Sequence, residues 1–409
     1  MKFRKFAFVL RELGPTKIAF MPLATIFIYL LFLVDKFKTV RIHQVINTRF
    51  GLFVVNTELS RLSIIDTESR CGKSINLFCF QHHTSVNHFL EILWRREINC
   101  LTGSWAWVVF DMATRFTPNL VEPSTSSNSK SLLGKFPALI KLLPSEIEIG
   151  QEFLHSIKIP NGDKFVCLNV RDSSFLKNSQ PLGWSKTRDW SYHNYRDSDI
   201  ASFVPAAEAL AEMGYTVFRM GAIVAKPLES AHPKVIDYAT NGMRSEFLDV
   251  FLGAHCEFCV STGTGWDEVP LLFRRPTIYV NIIPSFSHQI LDRELLLYPK
   301  ILLDKLSESE LDLEEVFERN LHNSAFTSDY GNASTVLRDM SSEELVEAVT
   351  EMARRVEGTF VETPLQKQMQ AKLNHILSNH PKLQPTPNHH PVRAEFASCF
   401  LSNYPKFID

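Results

Sequence analysis

The stretch Cys259–Asn281, C-V-S-T-G-T-G-W-D-E-V-P-L-L-F-R-R-P-T-I-Y-V-N, gathers residue types suited to holding a phosphate and a ribose. If Phe258–Ser261 is a parallel strand, Ser261, Thr262, Gly263, Thr264 and Gly265 form the loop at its carboxyl end. Such a loop entering a helix offers backbone N–H groups and the positive end of the helix dipole to an anion. Glu268 falls in the first helical turn, where a carboxylate can accept both hydroxyls of a ribose. Arg274 and Arg275 precede the next strand, Thr277–Asn281, and could supply charge to a diphosphate. The alternative is a structural turn whose acid stabilises its own helix.

Two further loops carry the same chemistry. Asn169-Val170-Arg171-Asp172 ends an apolar run, Phe165–Val170, and Arg219-Met220-Gly221 ends another, Tyr215–Met220. Ligands of open α/β sheets bind at the carboxyl ends of strands, so Arg171, Asp172 and Arg219 are expected there. Between these runs lies Asp189–Arg196 (D-W-S-Y-H-N-Y-R), whose aromatics could stack a base or sugar and whose His193 could move a proton. Packing of those aromatics onto the domain surface is the alternative. Arg196 closes this loop and joins the expected donor-binding set. Asp197-Ser198-Asp199 has the D-x-D form of a metal site, but it stands just before a helix, where Asp and Ser cap. Cys256-x-x-Cys259 has no second pair at ligand spacing and reads as the start of a strand. No other cluster has metal spacing, since His389-His390 sits in a Pro-rich stretch. No metal and no cofactor is expected.

The elements that must position these groups alternate. Strand-like runs at 165–170, 215–220, 258–261, 277–281 and 301–303 are separated by helical spacing at 199–213 and 247–252, which argues for a parallel, Rossmann-like α/β domain. Ser341, with Glu344 three residues on and Gly358 beyond, marks a capped helix. In the amino-terminal half, Leu52–Asn56 and Leu62–Asp66 read as strands, and Ile75–Phe80 is a short apolar run ending in Gln81-His82-His83, after which helical spacing runs to about Arg96. Glu122–Ser131 is Ser-rich and reads as a loop. The expected organisation is a segment at 1–40, an amino-terminal domain at 41–160, a nucleotide-sugar domain at 161–360, and a linker and tail at 361–409 packing back onto the first domain.

A net charge of −2 over 409 residues supplies no basic field for nucleic acid. Seven cysteines, an odd number set largely in apolar runs, fit a reduced compartment. The amino end is basic at Lys2, Arg4, Lys5, Arg11 and Lys17, and Ile18–Val34 is uncharged and mostly apolar. As a helix that run reaches about 25 Å, short of a hydrocarbon core about 30 Å thick. Both flanks are basic, and Pro22 could break the helix early. An interfacial or re-entrant anchor is therefore expected in preference to a true span, with a core helix as the alternative.

Asn169–Ser173, Ser191-Tyr192-His193-x-Tyr195-Arg196-x-Ser198-Asp199-Ile200, Val217–Gly221 and Ser261–Asn281 closely resemble a bacterial family of glycosyltransferases associated with surface polysaccharide synthesis. The likeness extends to Asn56-Thr57-Glu58, Lys234–Ala239 and the apolar amino-terminal segment, and covers most of the chain. One departure is Leu52 after Gly51, where the family pattern has a His. The resemblance implies an α/β fold of two Rossmann-like domains facing a cleft (GT-B-like), with a membrane-associating amino-terminal helix. It implies a nucleotide-diphosphate sugar donor, a glycan or lipid-linked acceptor and a location at the cytoplasmic face of the inner membrane. Donor binding is expected from Arg196, Arg219, Ser261, Thr262, Gly263, Thr264, Gly265, Glu268, Arg274 and Arg275; catalysis is expected from Arg171, Asp172 and His193. Rival readings are a nucleotide-sugar epimerase and a non-catalytic scaffold on the same fold. No G-x-G-x-x-G follows a strand, which argues against a dinucleotide oxidoreductase.

Overall fold

A computed structural model describes residues 15–123, 131–160, 162–178, 189–283, 295–324, 326–383 and 395–408. The basic residues Lys2 to Arg11, most of the Ser-rich stretch and His389-His390 lie outside them. The chain divides into two compact units, 1–126 with 181–184, and 127–180 with 185–409. The division thus falls near residue 126, not 160. The reason is helix packing within the second unit: Gly150 lies so close to Phe251 that a Cβ there would stand 2.1 Å from the ring.

The first unit opens with helix α1 (Pro15–Asp35), which contains Pro22 rather than ending at it. Strands β1 (Val40–Val45), β2 (Ile75–Phe80) and β3 (Cys100–Leu101) form a parallel three-stranded sheet in that order. Helices α2 (Phe50–Cys71), α3 (His88–Glu97) and α4 (Ser104–Phe116) connect and flank it. The strands expected at 52–56 and 62–66 are instead parts of α2. Val54, Val55, Leu59 and Leu62 are buried there, and the Phe53 ring meets Phe80 of β2 at 5.8 Å; packing overrides the β-branched propensity of the segment. Met21, Ala24 and Ile28 of α1 join Val108, Val109, Met112 and Ala113 of α4 in one core. Among the described residues, no helix is long and apolar enough to cross a membrane.

The second unit is built on a seven-stranded sheet. Helix α5 (Pro144–Ser156) leads to β4 (Phe165–Asn169), and α6 (Val204–Glu212) to β5 (Thr216–Arg219) and β6 (Val235–Ile236). Then come α7 (Glu246–His255), β7 (Phe258–Ser261), the short α8 (Glu268–Leu272), β8 (Thr277–Ile282) and β9 (Leu295–Pro299). A two-stranded antiparallel pair, β10 (Ile301–Asp304) with β11 (Thr335–Arg338), stands apart from the main sheet. Helices α9 (Leu313–Glu318) and α10 (Thr327–Asn332) join the pair, followed by α11 (Ser342–Val356) and α12 (Pro364–Asn379). The Ser341 side chain accepts from the Glu344 N–H, and the Glu344 carboxylate accepts from the Ser341 N–H, the reciprocal cap read in the sequence.

With the tail strand β12 (Glu395–Phe396), the main sheet runs β12-β9-β8-β7-β4-β5-β6, all parallel. Counting from β4, the first six strands therefore follow the doubly wound order 3-2-1-4-5-6, with the strand order reversing between β4 and β7. The seventh strand is the tail: β12 (Glu395–Phe396) pairs with β9, and α13 (Ser398–Asn403) follows. The expectation that the tail packs onto the first domain is thus corrected. Phe396, Phe400, Tyr404 and Phe407 are buried in the second unit's own core, with Phe400 and Tyr298 rings 5.1 Å apart. Arg355 fastens it by meeting Glu395 at 3.1 Å and the Ser398 hydroxyl at 3.0 Å.

Candidate functional site at the carboxyl edge of the second sheet

At the point where strand order reverses, the ends of β4 and β7 are held in register, Asn169 opposite Ser261. The loop after β7 is ordered by its own side chains. The Asp267 carboxylate accepts from the Ser261 hydroxyl at 2.8 Å and from the Thr264 N–H at 2.9 Å. Ser261 Oγ accepts from the Gly263 N–H, Thr264 Oγ1 from the Trp266 N–H, and Asn169 O from the Thr262 N–H. The expected cradle of open amides is therefore corrected: the N–H groups of Thr262, Gly263 and Thr264 are already taken, by Asn169 of β4, Ser261 and Asp267. Ser261 and Thr262 are buried, their hydroxyls serving the scaffold. Gly263 has φ of 79°, a left-handed conformation that explains glycine there.

Positive charge at this edge comes from side chains. The Arg171 N–H donates to Thr262 Oγ1 at 2.8 Å and the Arg171 carbonyl accepts from the Ser198 N–H, so the residue is clamped from both sides. Its guanidinium meets Asp197 at 3.3 Å. Arg196 Nη2 donates to the Gly263 carbonyl at 2.6 Å, tying the aromatic loop to the glycine loop. Burial, and then the neighbouring charge of Arg196, lower the Arg171 pKa. Burial raises that of Asp197, against the pull of Arg171. The two guanidinium groups are close enough for the charge of Arg196 to act on Arg171, and Asp197 is the countercharge Arg171 meets.

Lys300, at the end of β9, completes this group and was not anticipated. It is 4% exposed, donates to the Asp197 carbonyl at 2.8 Å and pairs with Asp339 at 2.7 Å. The apolar run Leu295–Pro299, buried throughout, was the signal for the strand that places it. At the end of β8, Asn281 is fully buried with φ of 51°, and its Oδ1 accepts from the Met340 N–H. Its Nδ2 has no hydrogen-bond partner among the described residues.

The loop Ser191–Arg196 forms a 3₁₀ turn. The His193 and Tyr192 rings lie 3.9 Å apart, and Tyr192 is 5.4 Å from Phe326. Tyr195 is 5.4 Å from Tyr330, and the Thr327 hydroxyl donates to the Ser191 and Tyr192 carbonyls. Phe326 and Tyr330 were missed, although their spacing of four around a helix start was legible. Asp197 and Asp199 turn to different partners, Arg171 and Lys226, and Asp199 accepts from the Ala201 N–H as a cap.

Other expected residues are placed elsewhere or committed to structure. Arg274 and Arg275 sit at the amino end of β8, the edge opposite the Ser261–Gly265 loop, because β7 and β8 are parallel. Arg274 donates to the carbonyls of Phe136, Pro137, Leu271 and Leu272, and Arg275 to that of Ala254. They brace the helix-to-strand turn. Arg219 ends β5 as expected, but its guanidinium is 0% exposed and bonds Asp237 at 3.1 Å and the Lys226 carbonyl at 3.2 Å. The Asp172 oxygens accept from the N–H groups of Ser174 and Ala225, which ties the loops after β4 and β5. Glu268 is half-buried at the start of α8. Burial first, then the charges of Asp267 and Glu268, push the Tyr279 phenol well up. The CxxC cysteines are buried and all seven cysteines are free thiols.

Fold and site together define a doubly wound α/β unit whose carboxyl edge is cationic and flanked by aromatics. No family model and no curated protein matches the chain. Among solved structures it is similar to a glycosyl transferase family 9 protein from Veillonella parvula, at 10% identity over 78% of this chain and 98% of that one, TM-score 0.46. It is also similar to E. coli ADP-heptose LPS heptosyltransferase II, at 11% identity over 64% of this chain and 91% of that one, TM-score 0.38. The fold reading rests on strand order and register.

Proposed function

We propose that the protein is a glycosyltransferase that moves a sugar from a nucleoside-diphosphate donor to a glycan or lipid-linked acceptor in surface polysaccharide synthesis. The observation that carries this reading is the pair Arg171 and Arg196 beside the reversal of strand order, with Asp197 paired to Arg171 and an aromatic group alongside. Two fixed guanidiniums match the geometry of a diphosphate. In glycosyl transfer that diphosphate is the leaving group, and cations already in place stabilise the charge it gains. Countercharge from the protein's own side chains makes a metal ion unnecessary on this account. Tyr192 and Trp190, their rings 6.2 Å apart, offer a stacking face for the base. Glu268 is the candidate to accept from the ribose hydroxyls, and His193 is the candidate for proton transfer from an acceptor hydroxyl. Asp172, with both oxygens already accepting backbone N–H groups, is a positioning residue instead.

The test is calorimetric titration of the full chain with UDP, GDP, CDP, ADP and dTDP, with Arg171→Ala alongside. Selective binding of one nucleotide, weakened at least about tenfold in the variant, is expected for loss of a charge-assisted contact. Failure of every nucleotide to bind folded protein would overturn the reading.

A further inference from the structure

Lysine is almost never fully buried without a partner. Lys300, 4% exposed at the end of β9, has two. Its Nζ pairs with the Asp339 carboxylate at 2.7 Å and donates to the Asp197 carbonyl at 2.8 Å. Asp339 directly follows β11, and Asp197 directly follows the turn that carries Arg196. One ammonium therefore joins two segments far apart in the sequence.

Both ends of that link are themselves fixed. The β8–β9 ladder shifts register between Val280 and Ile282 and leaves Asn281 in a left-handed conformation. The bulge turns the Asn281 carboxamide onto the Met340 N–H, at 2.7 Å, which holds the backbone next to Asp339. The Ile282 carbonyl accepts from the Lys300 N–H at 2.8 Å, so the same strand end sets where the lysine side chain starts. At the start of α11 the Ser342 hydroxyl donates to the Ser202 carbonyl at 3.1 Å, a second tie to the chain that follows Asp197. On the other side, the Asp197 N–H donates to the Asn194 carbonyl at 3.0 Å, and the Ser198 N–H to the Arg171 carbonyl at 3.1 Å.

We infer that Lys300 is a positioning residue for the diphosphate site: by holding the Asp197 backbone, it keeps the Asp197 carboxylate on the Arg171 guanidinium. Its charge acts in the same sense, because Arg171 and Lys300 both favour the ionised Asp197 carboxyl against burial and the nearby Asp172. The ligand rests on the sugar-transfer reading; the brace itself does not.

The test is calorimetric titration of the full chain with whichever of UDP, GDP, CDP, ADP and dTDP binds wild type most tightly. It is run as a double-mutant cycle of Lys300→Met with Asp197→Ala. Lys300→Met should weaken binding at least about fivefold with an unchanged circular dichroism spectrum. In the Asp197→Ala background the same substitution should cost less than about twofold, because the carboxylate it acts through is gone. Asp339→Asn breaks the ion pair but leaves Lys300 its bond to Asp197, so it should lose stability to urea and keep most of its affinity. Wild-type affinity in Lys300→Met, or losses that add in the cycle, would overturn the inference and leave the sugar-transfer reading standing. So would equal loss of affinity in Asp339→Asn and Lys300→Met, the result of a pair that serves the fold alone. Folded wild type that binds none of the nucleotides would overturn both.

Discussion

Asp267 is the residue on which the loop after β7 depends. It is 2% exposed, and one carboxylate oxygen accepts both the Ser261 hydroxyl and the Thr264 N–H. Asp267→Ala leaves those two donors without that acceptor in a site largely closed to water. Hydrogen bonds to a charged group are worth about 1.5–3 kcal/mol each, and the two share one acceptor, so the loss should be about 3 kcal/mol. Asp267→Asn keeps an oxygen in place and loses only the charge, for about 1 kcal/mol. Urea unfolding of both variants measures the ordering, and calorimetry with the nucleoside diphosphate measures its consequence. Because Gly263 presents its carbonyl to Arg196, a loosened loop should also release that guanidinium and weaken binding. An Asp267→Ala variant as stable as wild type, binding nucleotide equally well, would refute the claim that the carboxylate orders the loop.

Other substitutions separate structure from ligand binding. Arg274→Ala should cost about 2–3 kcal/mol in urea unfolding, through the carbonyls it leaves without a donor, while calorimetric nucleotide affinity stays unchanged. Gly150→Ala forces a Cβ into the buried Phe251 ring and should destabilise the second unit by about 1–3 kcal/mol in the same assay. Burial raises the Asp249 carboxyl from 3.8 to about 6 despite the nearby Arg244. The folded protein therefore binds a proton more tightly than the unfolded chain. Stability from this group is greatest below about 3.8 and is lost as pH rises towards 6. Urea midpoints measured across that window should fall for wild type relative to Asp249→Asn, and a parallel pair of curves would contradict the assignment.

Much of the second unit was legible in the sequence, because local pattern and global fold agree there. Phe258–Ser261 and the capped helix at Ser341 formed as their residues indicate. Arg171 reached the expected edge because strand direction alone places it. Arg219 shows the limit: ending a strand fixes where a side chain starts, but not whether Asp237 draws it inward. Arg274 and Arg275 lie near the glycine loop in sequence, yet one strand direction separates them from it in space. The amides of the glycine loop were misread because Asp267, two residues beyond Gly265, folds back to take that of Thr264, while Ser261 and Asn169 take those of Gly263 and Thr262. In the first unit, Val54-Val55 and Ile64-Ile65 carry strand propensity on a helix whose register is set by contacts with the sheet, which local sequence does not contain.

The central claim is that a nucleoside diphosphate binds where β4 and β7 end. Amide hydrogen exchange by mass spectrometry, with and without the nucleotide selected by calorimetry, tests it most directly. Protection of residues 169–173, 191–197 and 261–266, with none at 272–277 on the opposite edge, is the predicted result. Protection confined to 272–277, or an unchanged pattern at saturating nucleotide, would contradict it.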